Sequence, residues 1–381
     1  MIRIRILIVL GMILWAIDGW AAPVYPPDEA WPGTISAPAL ARPAYRQTVV
    51  DPVTGANITR ISGNEMNPSQ ALYLQHSYSK DQPWNADMTL IKLVGSVYIL
   101  NANDYTIFKQ WNFHNDSRWS TVDPNILFYT TGNQFRKVNV RTNADTLIRS
   151  FSQGNIALGP NEGNISIGDG RVVFVVGQTA IVYDISTNTE LASKNIGSAG
   201  SDWTSISPSG NYVAVCSNTG GGVHVYDLNL NFVRTLYSAC EHGDLGYHLA
   251  EIESLAQVCP NRHARLDTAA STSVSPSGCN AHISTRNYRR HGWAYLNQFG
   301  MVYAKRLDGT NIVERFAHHR SSESSYDSQA KAVASPDGSK VMWNSDWGSG
   351  TVYAYVAEMP GNGGDGGDPT PPAPPSGLRV Q

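Results

Sequence analysis

The chain has 381 residues, of which 15 % are charged against roughly 25 % in an ordinary soluble protein, and it holds 34 glycines, 21 prolines and 10 % aromatics. A hydrophobic share of 41 % can build a core, which excludes disorder for most of the chain, and the Ala, Glu, Lys and Leu that long helical bundles need in bulk are not there. A formal net charge of −3 gives no electrostatic footprint for nucleic acid, so what is left is a turn-rich β protein with a low-charge, aromatic surface.

The first segment, 1–21, reads as an export signal. Arg3 and Arg5 form a positive start, Ile6 to Ile17 an apolar run of twelve, and Gly19 and Ala21 supply small residues at a cleavage point. Twelve residues fall short of the ~20 that span a bilayer, so the expected mature protein is secreted or periplasmic, with no membrane span. An N-terminal extension, 22–47, follows. At 48–61 stands one strand-like segment (TVVDPVTGANITRI) with no hairpin partner of its own.

A repeat of about forty residues then begins. Thr204 to Val215 (TSISPSGNYVAV) and Ala332 to Trp343 (AVASPDGSKVMW) both read as a strand, a Ser-Pro-x-Gly turn and a second, alternating strand. Proline presets φ in such a turn, and glycine accepts the positive φ that ends it. A second signature recurs at Asn101, Arg141, Asp184, Asp227, Asp267 and Asp308, in steps of 40, 43, 43, 40 and 41 residues. A four-stranded propeller blade needs ~40–45. The expected fold is all-β: a seven-bladed β-propeller over 48–359, with the leftover N-terminal strand pairing to the last blade to close the ring.

Cys216, Cys240, Cys259 and Cys279 are even in number, lie within 64 residues and contain no CxxC pair. In an exported protein this predicts disulfides. Sequence leaves three connectivities open, with Cys240–Cys259 preferred because it closes one blade-sized loop. The tail carries a Gly- then Pro-rich linker at 360–375, and 376–381 looks like the start of a truncated fibronectin type III module.

Propeller topology turns spacing into geometry. The segment leading into each innermost strand lies on one face, around the central funnel, so residues just ahead of the Ser-Pro-x-Gly strands converge. These lead-in segments hold Gln75-His76-Ser77-Tyr78, Arg118-Trp119, Asn161-Glu162, Asp202-Trp203, Glu241-His242, and the run from His282 to Arg286 and Asn287. Ahead of the last blade come His318, His319, Arg320, Tyr326, Gln329 and Lys331. Blades five, six, seven and one are neighbours, so His242, His282, Gln329, Lys331 and His76 are expected on one side of the funnel. A histidine at this place also serves propellers as a buried strut, bonded to its own blade and blind to the funnel.

The stretch Gln329-x-Lys331-x-x-x-Ser335-Pro336-Asp337-Gly338, with Val341 to Asp346 after it, resembles the last blade of the oligogalacturonate lyases, and the general blade pattern resembles TolB-type propellers. The resemblance implies cleavage of uronic-acid oligosaccharides by β-elimination, and a divalent metal held by histidines and a glutamine, with His282 and Gln329 at the matching places. Lys331 stands where that family has a histidine, and an ammonium repels a cation rather than binding it. Elimination needs the uronate carboxylate neutralised, a base for the C5 proton and an acid for the oxygen leaving C4. Lys331 or Arg320 would neutralise, one of His76, His242 and His282 would act as base, and Tyr326 or Tyr78 as acid. Arg286 and Arg320 are candidates to meet an acidic sugar, and Trp119 and Trp203 either pack between blades or stack on sugar rings. No P-loop, GxGxxG, HExxH or GxSxG motif competes. The expected partner is an acidic polysaccharide or oligosaccharide, met by a monomer. The alternative is a propeller that binds glycan or protein without turning it over.

Overall fold

The computed structural model describes residues 22–66, 74–94, 98–111, 116–159, 162–197, 202–217, 221–249, 251–259, 261–274 and 282–361. The expected export signal, most of the linker, the fibronectin-like tail and Cys279 lie outside the described residues.

Within each repeat, apolar content falls from the ring centre outward. In blade two, Ser117–Trp119 is buried throughout, Ile126–Thr131 is buried along its middle, Gln134–Asn139 is buried only at Phe135 and Val138, and Asp145–Ser150 is largely exposed. A strand between two neighbours and under two packed sheets must be apolar on both faces, whereas an outer strand needs only a half-buried face. Hence burial thins strand by strand toward the outer edge of the blade. The faces of adjacent blades meet in aromatic and branched clusters: Phe128, Phe135, Phe151, Phe174 and Tyr183 join blades two and three, and Val173, Val175, Val182, Ile206, Val213 and Val215 join three and four.

Seven antiparallel sheets result among the described residues. Blade one runs from Trp84, which bridges Ile91, to Ile107–Gln110. Blade two covers Ser117–Trp119 to Asp145–Ser150, and blade three runs from Ile165, bridged to Val172, to Thr189–Asn195. Blade four covers Trp203–Ile206 to Phe232–Tyr237, blade five Gly243–Tyr247 to Ser271–Ser273, and blade six His282–Ser284 to Ile312–His318. Blade seven has Val333–Ala334, Lys340–Ser345 and Tyr353–Glu358 from the C-terminal side. Its outer strand is Asn57–Arg60, with Tyr355 opposite Arg60 and Glu358 opposite Asn57, and Thr48–Val50 adds a fifth. The leftover N-terminal strand therefore closes the ring and removes an open edge.

The turns follow their chemistry. The amides of Gly210 and Gly338 donate to the carbonyls of Ser207 and Ser335 at 2.9 and 2.8 Å, at φ of +78° and +73°. At Gly338 a Cβ would also overlap the Tyr295 hydroxyl of blade six, which donates to the Gly338 carbonyl at 2.7 Å. Glycine is needed there for both reasons.

The N-terminal extension straps blades six and seven. Glu29–Ala30 pairs with the outer strand of blade six, Trp31 packs on Phe299 and Tyr303, and Arg42 donates to the Tyr355 hydroxyl at 2.8 Å. No helix among the described residues is long and apolar enough to cross a membrane.

The disulfide is Cys216–Cys240, with Cα atoms 5.1 Å apart, and the preferred Cys240–Cys259 pairing is corrected. Cys216 lies at the end of the second strand of blade four, and Cys240 sits where the chain leaves that blade's outermost strand and recrosses its top. The crossing brings them together within one blade, a geometry that loop size alone does not encode. Cys259, at the far end of a blade-five hairpin, is itself disulfide-bonded. Closing a loop with a sequence separation of 24 stabilises by about 3 kcal/mol on the chain-entropy scale. The double variant Cys216→Ala/Cys240→Ala is expected to lose that amount in urea unfolding, with a steeper slope because the unlinked unfolded chain exposes more surface; an unmoved midpoint and slope would show that the bond constrains nothing.

Candidate functional site

The innermost strands all cross the ring in one direction, so their two ends open onto two different cavities. Trp203 and His242, at the starts of blades four and five, line a cavity of 330 Å³ with Tyr78, Glu162, Asp202 and Tyr326. The far ends of the same strands, at Ile206 and Tyr247, line a second and much tighter space of 40 Å³ that also holds Trp119, Arg118 and Arg286. The first cavity is the funnel mouth onto which the lead-in segments converge.

At that mouth His242 and His282 lie with ring centroids 4.4 Å apart. The Tyr78 hydroxyl meets His242 Nδ1 at 2.7 Å, and its ring stands edge-on to His282 at 5.3 Å. Tyr78 also hydrogen-bonds Tyr326, whose ring centroid is 6.2 Å from that of His282. Lys331 Nζ sits over the Tyr326 ring at 3.8 Å. Tyr326 is placed there by the serine-rich segment ahead of blade seven. Asp346 accepts from the Ser322 amide at 2.8 Å, and the Gln329 amide turns back onto the Tyr326 carbonyl.

His282 Nε2 meets Gln329 Oε1 at 2.7 Å. A carboxamide oxygen only accepts, so Nε2 carries the ring proton and Nδ1 keeps its lone pair. That Nδ1 is buried with no partner, and the residue is 2 % exposed. Burial, then His242, push the His282 pKa down to about 3, with Lys331 and Lys80 acting the same way against the Gln329 bond. His242 is lowered too, by burial and by Lys80. Both rings are therefore neutral at physiological pH. Burial brings the Lys331 ammonium down to about 8, opposed by Asp327. Burial, Glu162 and Tyr326 raise the Tyr78 phenol far above its ordinary value, so it stays protonated. A protonated phenol, Tyr78, thus lines the mouth, with a free imidazole lone pair on His282 and the Lys331 cation buried against its wall.

His76 is buried just behind. Its backbone is clamped by Asn344 at 2.7 and 2.9 Å, and burial, with Lys92 and Lys331, takes its ring to about 4 against Asp81. Trp203 lines the cavity, but Lys80 Nζ lies 4.2 Å over its ring, so that face is covered rather than open to a sugar. Three other expected residues are not brought to the mouth. Arg286 donates to Asp244 at 2.9 Å, Trp119 donates to the Pro83 carbonyl at 2.8 Å, and both line the opposite cavity. Arg320 donates to the Pro38 carbonyl at 2.8 Å and lies 3.8 Å from Asp51, held by the N-terminal strap. His318 is a strut on Asp51 at 3.1 Å, and His319 lies beside Glu323.

The mouth is also lined by the carboxylates of Glu162, Asp202 and Glu241, with Lys80 behind them paired to Glu162. Their signal was in the sequence, because they occupy the same lead-in positions on blades one, three, four and five.

The donors present do not fit a divalent cation. Among the described residues no third His, Cys, Asp or Glu donor joins His242 and His282, and two ammonium groups act on His282. Among the described residues the one cluster of three His, Cys, Asp or Glu donors is Asp202 with Cys216 and Cys240, where the sulfurs are spent in the disulfide.

No family model and no curated protein matches the chain. Among solved structures it is similar to an oligogalacturonate lyase in complex with manganese, with a TM-score of 0.58 and 15 % sequence identity over 82 % of this chain and 96 % of that one. At that identity the likeness is one of fold, and it extends over nearly the whole of the lyase.

Proposed function

We propose that the chain is an exported, carbohydrate-active propeller that cleaves uronate-containing oligosaccharides by β-elimination. The observation that carries this reading is the meeting of the His282 lone pair, the Lys331 ammonium and the Tyr78 phenol at one funnel mouth. The Cys216–Cys240 disulfide suits export. The fold likeness to a lyase suits the chemistry.

In this mechanism the substrate carboxylate faces Lys331, whose charge spreads the negative charge that develops when C5 loses its proton. His282 Nδ1 takes that proton. The carboxylate beside it stabilises the imidazolium as it forms, reversing the local field that keeps the free ring neutral. The C5 electron pair becomes the C4–C5 double bond, the C4–O bond breaks, and Tyr78 donates its proton to the departing oxygen. As product leaves, His282 gives its proton to solvent and Tyr78 takes one back from solvent through its hydrogen bonds to His242 and Tyr326. The similar lyase is described with manganese, but here a fixed ammonium takes the neutralising place, and no step is routed through a metal.

Product masses test the reading on a panel of acidic oligosaccharides. Elimination gives two fragments whose masses sum to that of the intact substrate, whereas hydrolysis adds one water. Fragments carrying the extra water, or binding with no cleavage of any uronate-bearing substrate, would sink it. Tyr78→Phe is expected to lower kcat by about 10²-fold, the low end for a lost general acid, because Tyr326 stays in place to supply a proton. An unchanged kcat would remove Tyr78 from the reaction.

A further inference from the structure

Around the mouth, the lead-in segments fall into two arcs of opposite charge. Blades seven and one supply the ammonium groups of Lys331 and Lys80, with the neutral His282 of blade six beside them. Blades three, four and five supply Glu162, Asp202 and Glu241, and all three carboxylates line the 330 Å³ cavity. Among the described residues lining it there is no Lys or Arg, since Lys80 lies behind the wall, stacked on Trp203 and paired to Glu162. The negative field is felt across the cavity: besides burial, Glu162 and Asp202 both raise the phenols of Tyr78 and Tyr326.

These carboxylates do not converge on a point. No three donor atoms among Glu162, Asp202, Glu241 and His242 lie close enough to share an ion. Spread along a wall, they are acceptors for several separate hydroxyls, and each disfavours a carboxylate placed against it. An independent mark of a ligand stands on the same wall. Trp203 Nε1 is a buried donor with no partner among the described residues, 2 % exposed, on a residue that lines the cavity. A sugar hydroxyl oxygen would satisfy it.

We propose that the site takes a uronate whose neighbouring sugar is uncharged and hydroxyl-bearing, rather than one uronate within a run of uronates. The uronate stands at Lys331, and the neighbour lies against Glu241, Asp202 and Trp203. This rests on the elimination reading for the place of the uronate, and it adds which glycans fit: those in which acidic and neutral sugars alternate.

The test uses the full chain and two oligosaccharides of equal length, one a homo-oligouronate and one alternating uronate with an uncharged hexose. Affinity is read by calorimetry, and turnover by the ultraviolet absorbance of the C4–C5 double bond. The alternating oligosaccharide is expected to bind and react on the order of tenfold better, a factor that one unit of like-charge repulsion supplies. Glu241→Gln is expected to shrink that ratio several-fold by improving the homo-oligouronate. A homo-oligouronate that binds as well or better, a ratio that Glu241→Gln leaves alone, or binding of neither overturns the proposal. If the binding ratio holds but no double bond forms on either, the elimination reading fails while this one stands. If both react with equal efficiency, the reverse is true.

Discussion

Replacing His282 by alanine is expected to lower kcat/KM by roughly 10²–10⁴-fold, the range for loss of a positioned base, while lowering the melting temperature only slightly. The reasoning is geometric. The His282 ring makes one hydrogen bond, through Nε2 to Gln329, and its other nitrogen has no partner among the described residues. A strut would use both nitrogens, as His318 does in bonding Asp51 through one and the Ile35 carbonyl through the other. Gln329 is half-buried and regains water when its partner is removed, so the lost bond costs about 1 kcal/mol and ~2–4 °C. His318→Ala is the contrasting variant. Asp51 is fully buried and, against its desolvation, is held far below the carboxylate range by its bonds to His318. Removing that partner should cost several degrees with little effect on turnover per folded molecule. If His282→Ala behaved like His318→Ala, with a large thermal loss and intact kcat/KM, His282 would be a strut.

Lys331→Met is expected to lower kcat/KM by about 10²–10³-fold, the range for one lost stabiliser of developing negative charge. The pH profile separates this from a structural role. Burial brings Lys331 to about 8 in the free protein, and kcat/KM reports free-enzyme ionisations. The charged form is the active one, so activity is present below that pH and is lost as pH rises through about 8. Lys331→Arg carries a guanidinium that stays charged to above ~12; its alkaline limb should therefore vanish from the accessible range, even if its geometry lowers the plateau. No acid limb is expected in the ordinary histidine range, because burial lowers both His242 and His282. An alkaline limb in Lys331→Arg identical to that of the natural chain would assign the titration to another group.

The fold was legible because a propeller repeats its chemistry. The Ser207-Pro208-x-Gly210 and Ser335-Pro336-x-Gly338 turns recur because each blade must make the same sharp return under the same neighbour. The unpaired segment at 48–61 could only complete an incomplete blade. The convergence of the histidines was legible for the same reason: His242, His282 and Gln329 stand at or just ahead of the innermost strands of adjacent repeats. Long side chains were not. Arg286 reaches back to Asp244 in the neighbouring blade, and Arg320 is captured by Asp51 and the strap, because a guanidinium settles on the nearest buried acceptors, which strand spacing does not reveal. Trp119 was lost to a backbone carbonyl, that of Pro83. The Cys216–Cys240 pairing depends on the path by which the chain recrosses the top of blade four, and that path is set by packing rather than by separation in sequence.

The most direct measurement of the central claim is the rate at which the C4–C5 double bond appears when the purified chain meets a uronate-bearing oligosaccharide, with and without an excess of chelator. The account predicts that the unsaturated product forms and that the two rates agree, because Lys331 neutralises the carboxylate where the similar lyase is described with manganese. Loss of product with chelator and its return on adding manganese would contradict that account, as would no unsaturated product from any uronate-bearing substrate.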